Sequence, residues 1–490
     1  MVSILAMIRI HAFLMFGLLF SAPGVAAEKP NIVILLADDL GYGELGCLNP
    51  EGKIATPQLD QLAKQGMVFT DGHSGSSVCT PTRYGLLTGR YPWRTRLQSG
   101  VLTGGESLIA QHRLTLAKLL KAQGYHTCIV GKWHLGMLFD GSKNASSKVP
   151  LGAKVTHGPL DRGGFDEFHG FHHARQMGLW IDDDKITRHI QHVDMLPDLT
   201  ASAVKYIESR KGREEPFFLY VPWNSPHSPV VPNEKWKGKS GLNDHADFVM
   251  QTDDSCGQVI EALEENGFSD NTIVIFSSDN GTSPQTSGRE QLLKAGHHSS
   301  GKLRGMKADF WDGGHRVPFI VRWPGKVKAG VSKPDLICLN DIYATMAEVL
   351  GADYPETEGV DSISFLPTLV GKSEEPARKD VISASISGMF AIRQGHWKLL
   401  CGPGSGGWGK PKPAEALRQG EPVIQLYHMK KDIGEKHNVQ ARFPDVVTEL
   451  RALLEEQIAD GRSTPGPVQK NDVEVVIDKM AKASKAKKAK

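Results

Sequence analysis

Cys79 stands alone just ahead of Thr80-Pro81-Thr82-Arg83, in a polar stretch running from Ser76 to Arg90. Most free cysteines are small buried hydrophobes, but the neighbours of this one suit chemistry. Pro81 fits the first turn of a helix, where its missing N–H costs nothing. Cys79 is then expected just before a helix N-terminus, whose free amides and dipole favour an anion. Arg83, one turn in, offers a planar fork for an oxyanion. Two oxygen-rich pairs stand elsewhere, Asp38-Asp39 and Asp279-Asn280. Three carboxylates and an amide carbonyl, with no paired Cys or His, suit a hard divalent cation such as Ca²⁺ or Mg²⁺. For either pair alone, the capping of an ordinary turn is the competing reading.

Elements must bring these groups together, and four apolar runs offer to do so. Residues 31–37, 127–130, 217–221 and 272–276 are short, continuous and bounded by turn residues, as befits strands buried on both faces. They empty into Asp38-Asp39-Leu40-Gly41-Tyr42-Gly43, Gly131-Lys132-Trp133-His134-Leu135-Gly136, Pro222 through His227, and Ser277-Ser278-Asp279-Asn280-Gly281. Helical spacing lies between them: Leu59, Leu62 and Ala63 after Thr56-Pro57, then residues 116–120, 199–207 and 249–263. The alternation predicts an α/β fold with a large, mostly parallel central sheet flanked by helices. Ligand sites in such sheets gather beyond the carboxyl ends of the strands, so the four polar clusters are expected along one edge. Past residue 370 a hairpin around Gln394-Gly395, a Gly/Pro-rich loop from Gly402 to Pro413, a strand at 423–427 and an amphipathic helix at 443–458 predict a small antiparallel sheet with one packed helix.

The chain has 490 residues, 23% charged and 40% hydrophobic, which suits a globular protein with one large unit and a smaller one. A single early positive charge, an apolar segment from His11 to Phe20 and Val25-Ala26-Ala27 read as a secretory signal peptide, too short to span a bilayer. The expected division is signal peptide 1–27, catalytic α/β domain 28–370, a C-terminal α+β domain 371–465 and a basic tail 466–490. Export to the periplasm or the exterior follows. The net charge of +2 owes much to the run from Lys479 onward, with six lysines and no acids, expected as a solvated tail rather than an anchor to anionic surfaces. No nucleic-acid module and no later membrane span is visible. Cys47, Cys79, Cys128, Cys256, Cys338 and Cys401 are far apart without CxxC pairing, which argues against a metal cluster or a disulfide scaffold.

Cys79-Thr80-Pro81-Thr82-Arg83, followed by Leu86-Leu87-Thr88-Gly89-Arg90, resembles the sulfatase signature C-x-P-x-R with its downstream L-T-G-R. The resemblance, to the formylglycine-dependent, arylsulfatase-type branch of the alkaline phosphatase superfamily, covers nearly the whole mature chain. It includes the segments at Asp38, Lys132, Pro226-His227 and Asp279 quoted above, and Arg304-Gly305-Met306-Lys307 ahead of Gly313-Gly314-His315-Arg316-Val317-Pro318. It implies that a maturation enzyme oxidises Cys79 to Cα-formylglycine. Hydrated, that aldehyde attacks sulfur with one hydroxyl and expels sulfate as the other collapses. It further implies a divalent ion, usually calcium, held by Asp38, Asp39, Asp279 and Asn280 and touching residue 79, to neutralise the sulfate oxygens. Lys132 and Lys307 are implied around the sulfate, Arg83 and His134 at the diol with His134 as base, and His227 as the acid for the leaving oxygen. One departure is Asp312-Gly313-Gly314 where the family has Glu-Gly-Gly; the shorter acid is expected to keep a supporting role.

The implied activity is hydrolysis of sulfate esters, on a sulfated carbohydrate or an aryl sulfate. Trp93, Arg94 and Arg96, just past the nucleophile helix, are candidates to contact a sugar, as are the pairs His172-His173 and His297-His298. Two rivals remain: a phosphomonoester or phosphonate hydrolase on the same scaffold, and a non-catalytic binder of sulfated glycans. The first lacks the histidine ligands of a two-zinc site; the second requires Cys79 to stay a thiol.

Overall fold

A computed structural model describes residues 28–140 and 149–479. The expected signal segment and the lysine-rich end beyond 479 lie outside the described residues. Ten strands form one sheet: β1 (Asn31–Asp38), β2 (Met67–His73), β3 (His126–Lys132), β4 (Glu167–Phe171), β5 (Leu179–Asp182), β6 (Lys185–His189), β7 (Phe217–Pro226), β8 (Thr272–Ser278), β9 (Phe319–Arg322) and β10 (Val331–Cys338). Their spatial order is β10-β2-β9-β8-β1-β7-β3-β4-β5-β6. The four strands expected from apolar runs are adjacent in this order, β8-β1-β7-β3, and mutually parallel. Only β9 and β5 run against their neighbours on both sides.

β1 shows why the run is continuous rather than alternating. Ile32, Ile34 and Leu36 enter one apolar layer, Val33, Leu35 and Ala37 the other, so the period of two is present but both faces are covered. Helices α1 (Pro57–Gln65), α4 (His192–Ser209) and α5 (Asp244–Glu265) supply Leu59, Leu199 and Val249 to the second layer. On the first side lie α2 (Cys79–Thr88) and α3 (Leu116–Ala122), with Leu86 and Leu119. No helix of the described residues is long and apolar enough to cross a membrane.

A second sheet, all antiparallel, follows in the order β11 (Asp380–Ala384), β12 (Phe390–Gln394), β13 (Trp397–Leu400), β14 (Gln425–His428). The expected hairpin is β12–β13, and the helix Pro444–Ala459 packs Leu450, Leu454 and Ile458 on this sheet. Residues 466–479, expected to begin a solvated tail, instead lie against the body. Asp472 pairs with Arg90, Asp478 with Arg451, and Ile477 is buried. The acids that precede the lysines find arginine partners across the fold, which the closing charge run concealed.

Candidate active site

α2 begins at Cys79, with extended Val78 as its cap, and ends at Gly89, whose φ of +59° gives the left-handed turn that closes a helix. All ten of its residues are buried. Thr82 Oγ1 donates to the Ser76 carbonyl at 3.1 Å, tying the loop before the helix to its first turn. Burial pushes the Cys79 thiol up to about 12 against the pull of Lys132 and Lys307. The unmodified sulfur therefore stays protonated at neutral pH and is a poor nucleophile. Lys307 Nζ lies 3.5 Å from Cys79 Sγ and 2.5 Å from Asp39 Oδ1.

The carboxylates come from the strand exits. Asp38 closes β1, and Asp279 and Asn280 follow β8. Asp39 has a φ of +67°, a conformation that costs a non-glycine residue and persists only where surroundings enforce it. Here the Asp39 N–H donates to Asp279 Oδ1 at 3.2 Å, and Asn280 Nδ2 donates to Asp39 Oδ1 at 2.8 Å. Lys132 Nζ is 2.5 Å from Asp38 Oδ2. Burial disfavours the charge on Asp38, yet Lys132, His227, Arg83 and Lys307 hold its carboxyl well below the usual range. Asp279 is pushed up to about 6 by burial and by the Asp38 charge.

Arg83 departs from its expected place. Its Nη2 and Nε grip Asp279 Oδ2 at 2.7 and 3.1 Å, and Nη1 donates to the Lys132 carbonyl at 3.0 Å. The fork is engaged by a carboxylate rather than held open for an oxyanion, which makes Arg83 a positioning residue for Asp279 and Lys132.

The ligand atoms of Asp38, Asp39, Cys79 and His227 all lie within 4.8 Å of one another. Asp38 Oδ1 and Asn280 Oδ1 are buried without a hydrogen-bond partner. Buried oxygens are rarely left so. Hard oxygen donors, two of them unsatisfied, fit a divalent cation of the calcium or magnesium kind.

The two histidines present different faces. His227 Nδ1 contacts the Ser228 carbonyl at 2.6 Å. A carbonyl only accepts, so Nδ1 carries the hydrogen and Nε2, 3.7 Å from Asp39 Oδ2, faces the carboxylates. His134, with a φ of +56°, is bound through Nε2 to the Leu102 carbonyl at 2.8 Å. Its Nδ1 is buried and unpartnered. Burial, with Lys132 and Arg83 adding, drives its pKa well below 6.5. His134 is thus a neutral imidazole with a bare nitrogen, the state a base needs.

Several expected contacts are not brought together. Trp93 and Arg94 are buried, not offered to a ligand. Trp93 packs with Tyr91 and Phe390 of the second sheet. Arg94 is paired with Asp361 at 2.8 Å and donates to the Gln457 carbonyl. Their exposure depended on what the C-terminal sheet covers. Arg94→Ala is expected to cost about 3–5 kcal/mol of stability, as removing one partner of a buried ion pair does, while ligand affinity of the folded protein is unchanged; urea unfolding beside a binding assay checks both. Arg96 is exposed and donates to the Glu106 carbonyl at 2.6 Å, with no contact to the cluster. His172 and His173 reach His134: the main-chain N–H of His134 donates to the His172 carbonyl at 2.8 Å and His173 stacks on its ring. His297 Nδ1 accepts from the Lys53 N–H, a structural bond. Asp312, in the short helix 312–315 ahead of β9, accepts from Lys398 Nζ of β13 at 2.7 Å.

A cavity of about 880 Å³, bordered by Met306 beside Lys307, does take in the His297-His298 pair. Arg289, His298, Trp408 and Lys410 line it. Trp408, amid the glycines of the 402–413 loop, was not singled out in the sequence.

The sequence profile described as Sulfatase matches residues 30–352. The N-acetylgalactosamine-6-O-sulfatase of Bacteroides thetaiotaomicron is 33% identical over 493 residues, covering 88% of this chain and 94% of the relative. Human arylsulfatase A is 32% identical over 487 residues, 92% of each chain. A solved structure from the study of glycosaminoglycan metabolism by Bacteroides thetaiotaomicron superposes with a TM-score of 0.78 at 32% identity, over 88% of this chain and 99% of that one. The structure of i-CgsB in complex with k-i-k-neocarrahexaose follows with a TM-score of 0.71, 26% identity and coverage of 90% and 95%.

Proposed function

The chain belongs to the sulfatase family and is a sulfuric ester hydrolase; from that premise we propose that it desulfates carbohydrates, using a formylglycine made from Cys79 and a bound Ca²⁺. The observation that carries the reading is the meeting of the Cys79 sulfur with Lys307, Asp38, Asp39 and His227 at the exits of parallel strands. Relatives that act on N-acetylgalactosamine sulfate and a neighbour complexed with a neocarrahexaose support a sugar substrate. The cavity beside Met306, with Trp408 to stack on a ring and Arg289 and Lys410 for anionic groups, is the proposed sugar site in place of Trp93 and Arg94.

Asp38, Asp39, Asp279 and Asn280 would hold the cation, which supplies charge to neutralise the non-bridging sulfate oxygens. A formylglycine at position 79 would supply, as its hydrate, one hydroxyl as nucleophile toward sulfur and a second to carry the release of sulfate. The rest falls to the chain's own side chains. Lys132 and Lys307 set positive charge around the sulfate, each oriented by one aspartate. His227, with Nδ1–H held by Ser228, takes its second proton on Nε2 and delivers it to the departing alcohol oxygen. His134 receives a proton on its bare Nδ1, and Arg83 keeps Asp279 and Lys132 in place.

Because His134 is assigned to the release step, His134→Gln is expected to lower steady-state turnover about 10²–10⁴-fold. Its first-turnover alcohol burst, about one per chain, should persist. Equal loss of burst and steady state would place His134 elsewhere in the cycle.

The direct test is mass analysis of the peptide containing residue 79, with sulfate release measured on a panel of sulfated mono- and oligosaccharides beside a generic aryl sulfate. An aldehyde at position 79 with release from a sugar supports the proposal; an intact thiol in active protein defeats it. The phosphatase reading fares worse, since His227 is the one histidine among the grouped ligand atoms of the centre, too few for a two-zinc site. We also propose export through the segment 1–27, maturation by a formylglycine-generating enzyme, and the division into a catalytic domain to 370 and a smaller one from 371.

A further inference from the structure

We propose that the β3–β4 edge of the large sheet holds a second metal, a structural Zn²⁺ bound by Cys128, Glu167 and His169. The proposal is independent of the sugar substrate. His126 and Cys128 are two apart on β3, and Glu167 and His169 two apart on β4, so each pair shares one face of its strand. The parallel register sets Cys128 opposite Glu167 and Val130 opposite His169. One ligand atom from each of Cys128, Glu167 and His169 lies within 4.8 Å of the other two.

The imidazole–carboxylate distances are long for charged hydrogen bonds. His169 Nε2 is 3.4 Å from Glu167 Oε2, and His126 Nε2 is 3.4 Å from Glu167 Oε1. A charged N–H···O bond closes to about 2.7–2.9 Å. The edge of a tetrahedron with metal bonds of about 2.1 Å is about 3.4 Å.

Each imidazole is also oriented from behind. His169 Nδ1 is bound to Asp182 Oδ1 at 2.8 Å, and Asp182 is itself fixed by Trp180 Nε1 and Thr187 Oγ1. This is the carboxylate–histidine support that metal ligands characteristically have. His126 Nδ1 meets the Tyr206 hydroxyl at 3.0 Å, which also lies 3.3 Å from the His126 carbonyl. Two Nε2 atoms, that of His169 with its opposite nitrogen committed as a donor to Asp182, face one carboxylate. At His169 an added proton or a cation makes that contact favourable.

The donor set selects the metal. Nitrogen, oxygen and sulfur together suit Zn²⁺ and not the hard cation of the catalytic centre. Glu167 and His169 are 37% and 26% exposed, which opens a path from solvent, while Cys128 forms the buried wall. His126, on the other Glu167 oxygen, or a water takes the fourth position. Binding displaces the Cys128 thiol proton and the proton on His169, which Asp182 and Glu167 otherwise hold to about 9 against burial. Cys128 precedes Lys132 by four residues, about 13 Å of strand. The ion would staple β3 to β4, the strands that lead to Lys132 and to His172-His173.

The test uses calcium-loaded full-length protein, titrated with Zn²⁺ and separately with Co²⁺ as a spectroscopic probe. One zinc per chain is expected, with the ligand-field bands of four-coordinate cobalt and a thiolate-to-cobalt band absent from Cys128→Ser. Glu167→Gln and His169→Ala should each weaken zinc binding at least tenfold, and Asp182→Asn about 10–100-fold, with sulfate-ester turnover unchanged. Zinc that binds the wild type and His169→Ala equally, or fails to bind the wild type, overturns the proposal and leaves ordinary imidazole–carboxylate pairs.

Discussion

Cys79→Ala is expected to lower steady-state sulfate release by on the order of 10⁴-fold or more, the scale seen when a covalent nucleophile is removed. The loss should be in turnover rather than in fold. The side chain is small, its sulfur makes one polar contact, to Lys307, and that lysine keeps Asp39 as a partner. Thermal unfolding should therefore barely move while sulfate release, followed on an aryl sulfate, disappears. Residual activity within a factor of ten would remove residue 79 from the reaction and with it the assignment of the centre.

Asp38→Asn carries the second largest effect. The amide preserves shape but brings a nitrogen or an uncharged oxygen where Lys132 now finds a carboxylate at 2.5 Å and Arg83 one at 3.6 Å. Turnover should fall by at least ~10³-fold, since the cation and the orientation of Lys132 are both disturbed. Calcium supplies the separable readout. Ligand at 100 times its dissociation constant stabilises a folded protein by about 2.7 kcal/mol. The wild type should show a calcium-dependent rise in unfolding midpoint, and Asp38→Asn should lose it. A variant that is inactive yet fully stabilised by calcium would mean that Asp38 orients Lys132 without holding the ion.

The centre was legible in the sequence to the extent that strand burial is. Runs such as 272–276 have no polar alternation because helices cover both faces, and a strand so buried must deliver its first polar residues at its end. That logic placed Asp38, Lys132, His227 and Asp279 on one edge. Contacts made across hundreds of residues were not legible. β9 inserts antiparallel between β2 and β8, and nothing in four apolar residues declares a direction. Trp93 and Arg94 read as surface groups because Phe390 and Asp361, which enclose them, lie far along the chain. Arg83 read as an anion fork because the distance from its helix to Asp279 is a property of the assembled sheet. The positive φ values of Asp39 and His134 are likewise imposed by tertiary bonds, not by residue type.

The depth of Cys79 dictates an order of events. At 2% exposure in a helix enclosed on all sides, its sulfur is beyond the reach of any other enzyme once the chain has condensed. The proposed conversion of residue 79 would therefore have to occur on the extended polypeptide, in a race against collapse of the surrounding core. On that proposal a molecule that condenses first would be trapped inert, and the active fraction of a preparation would record which of the two rates was faster.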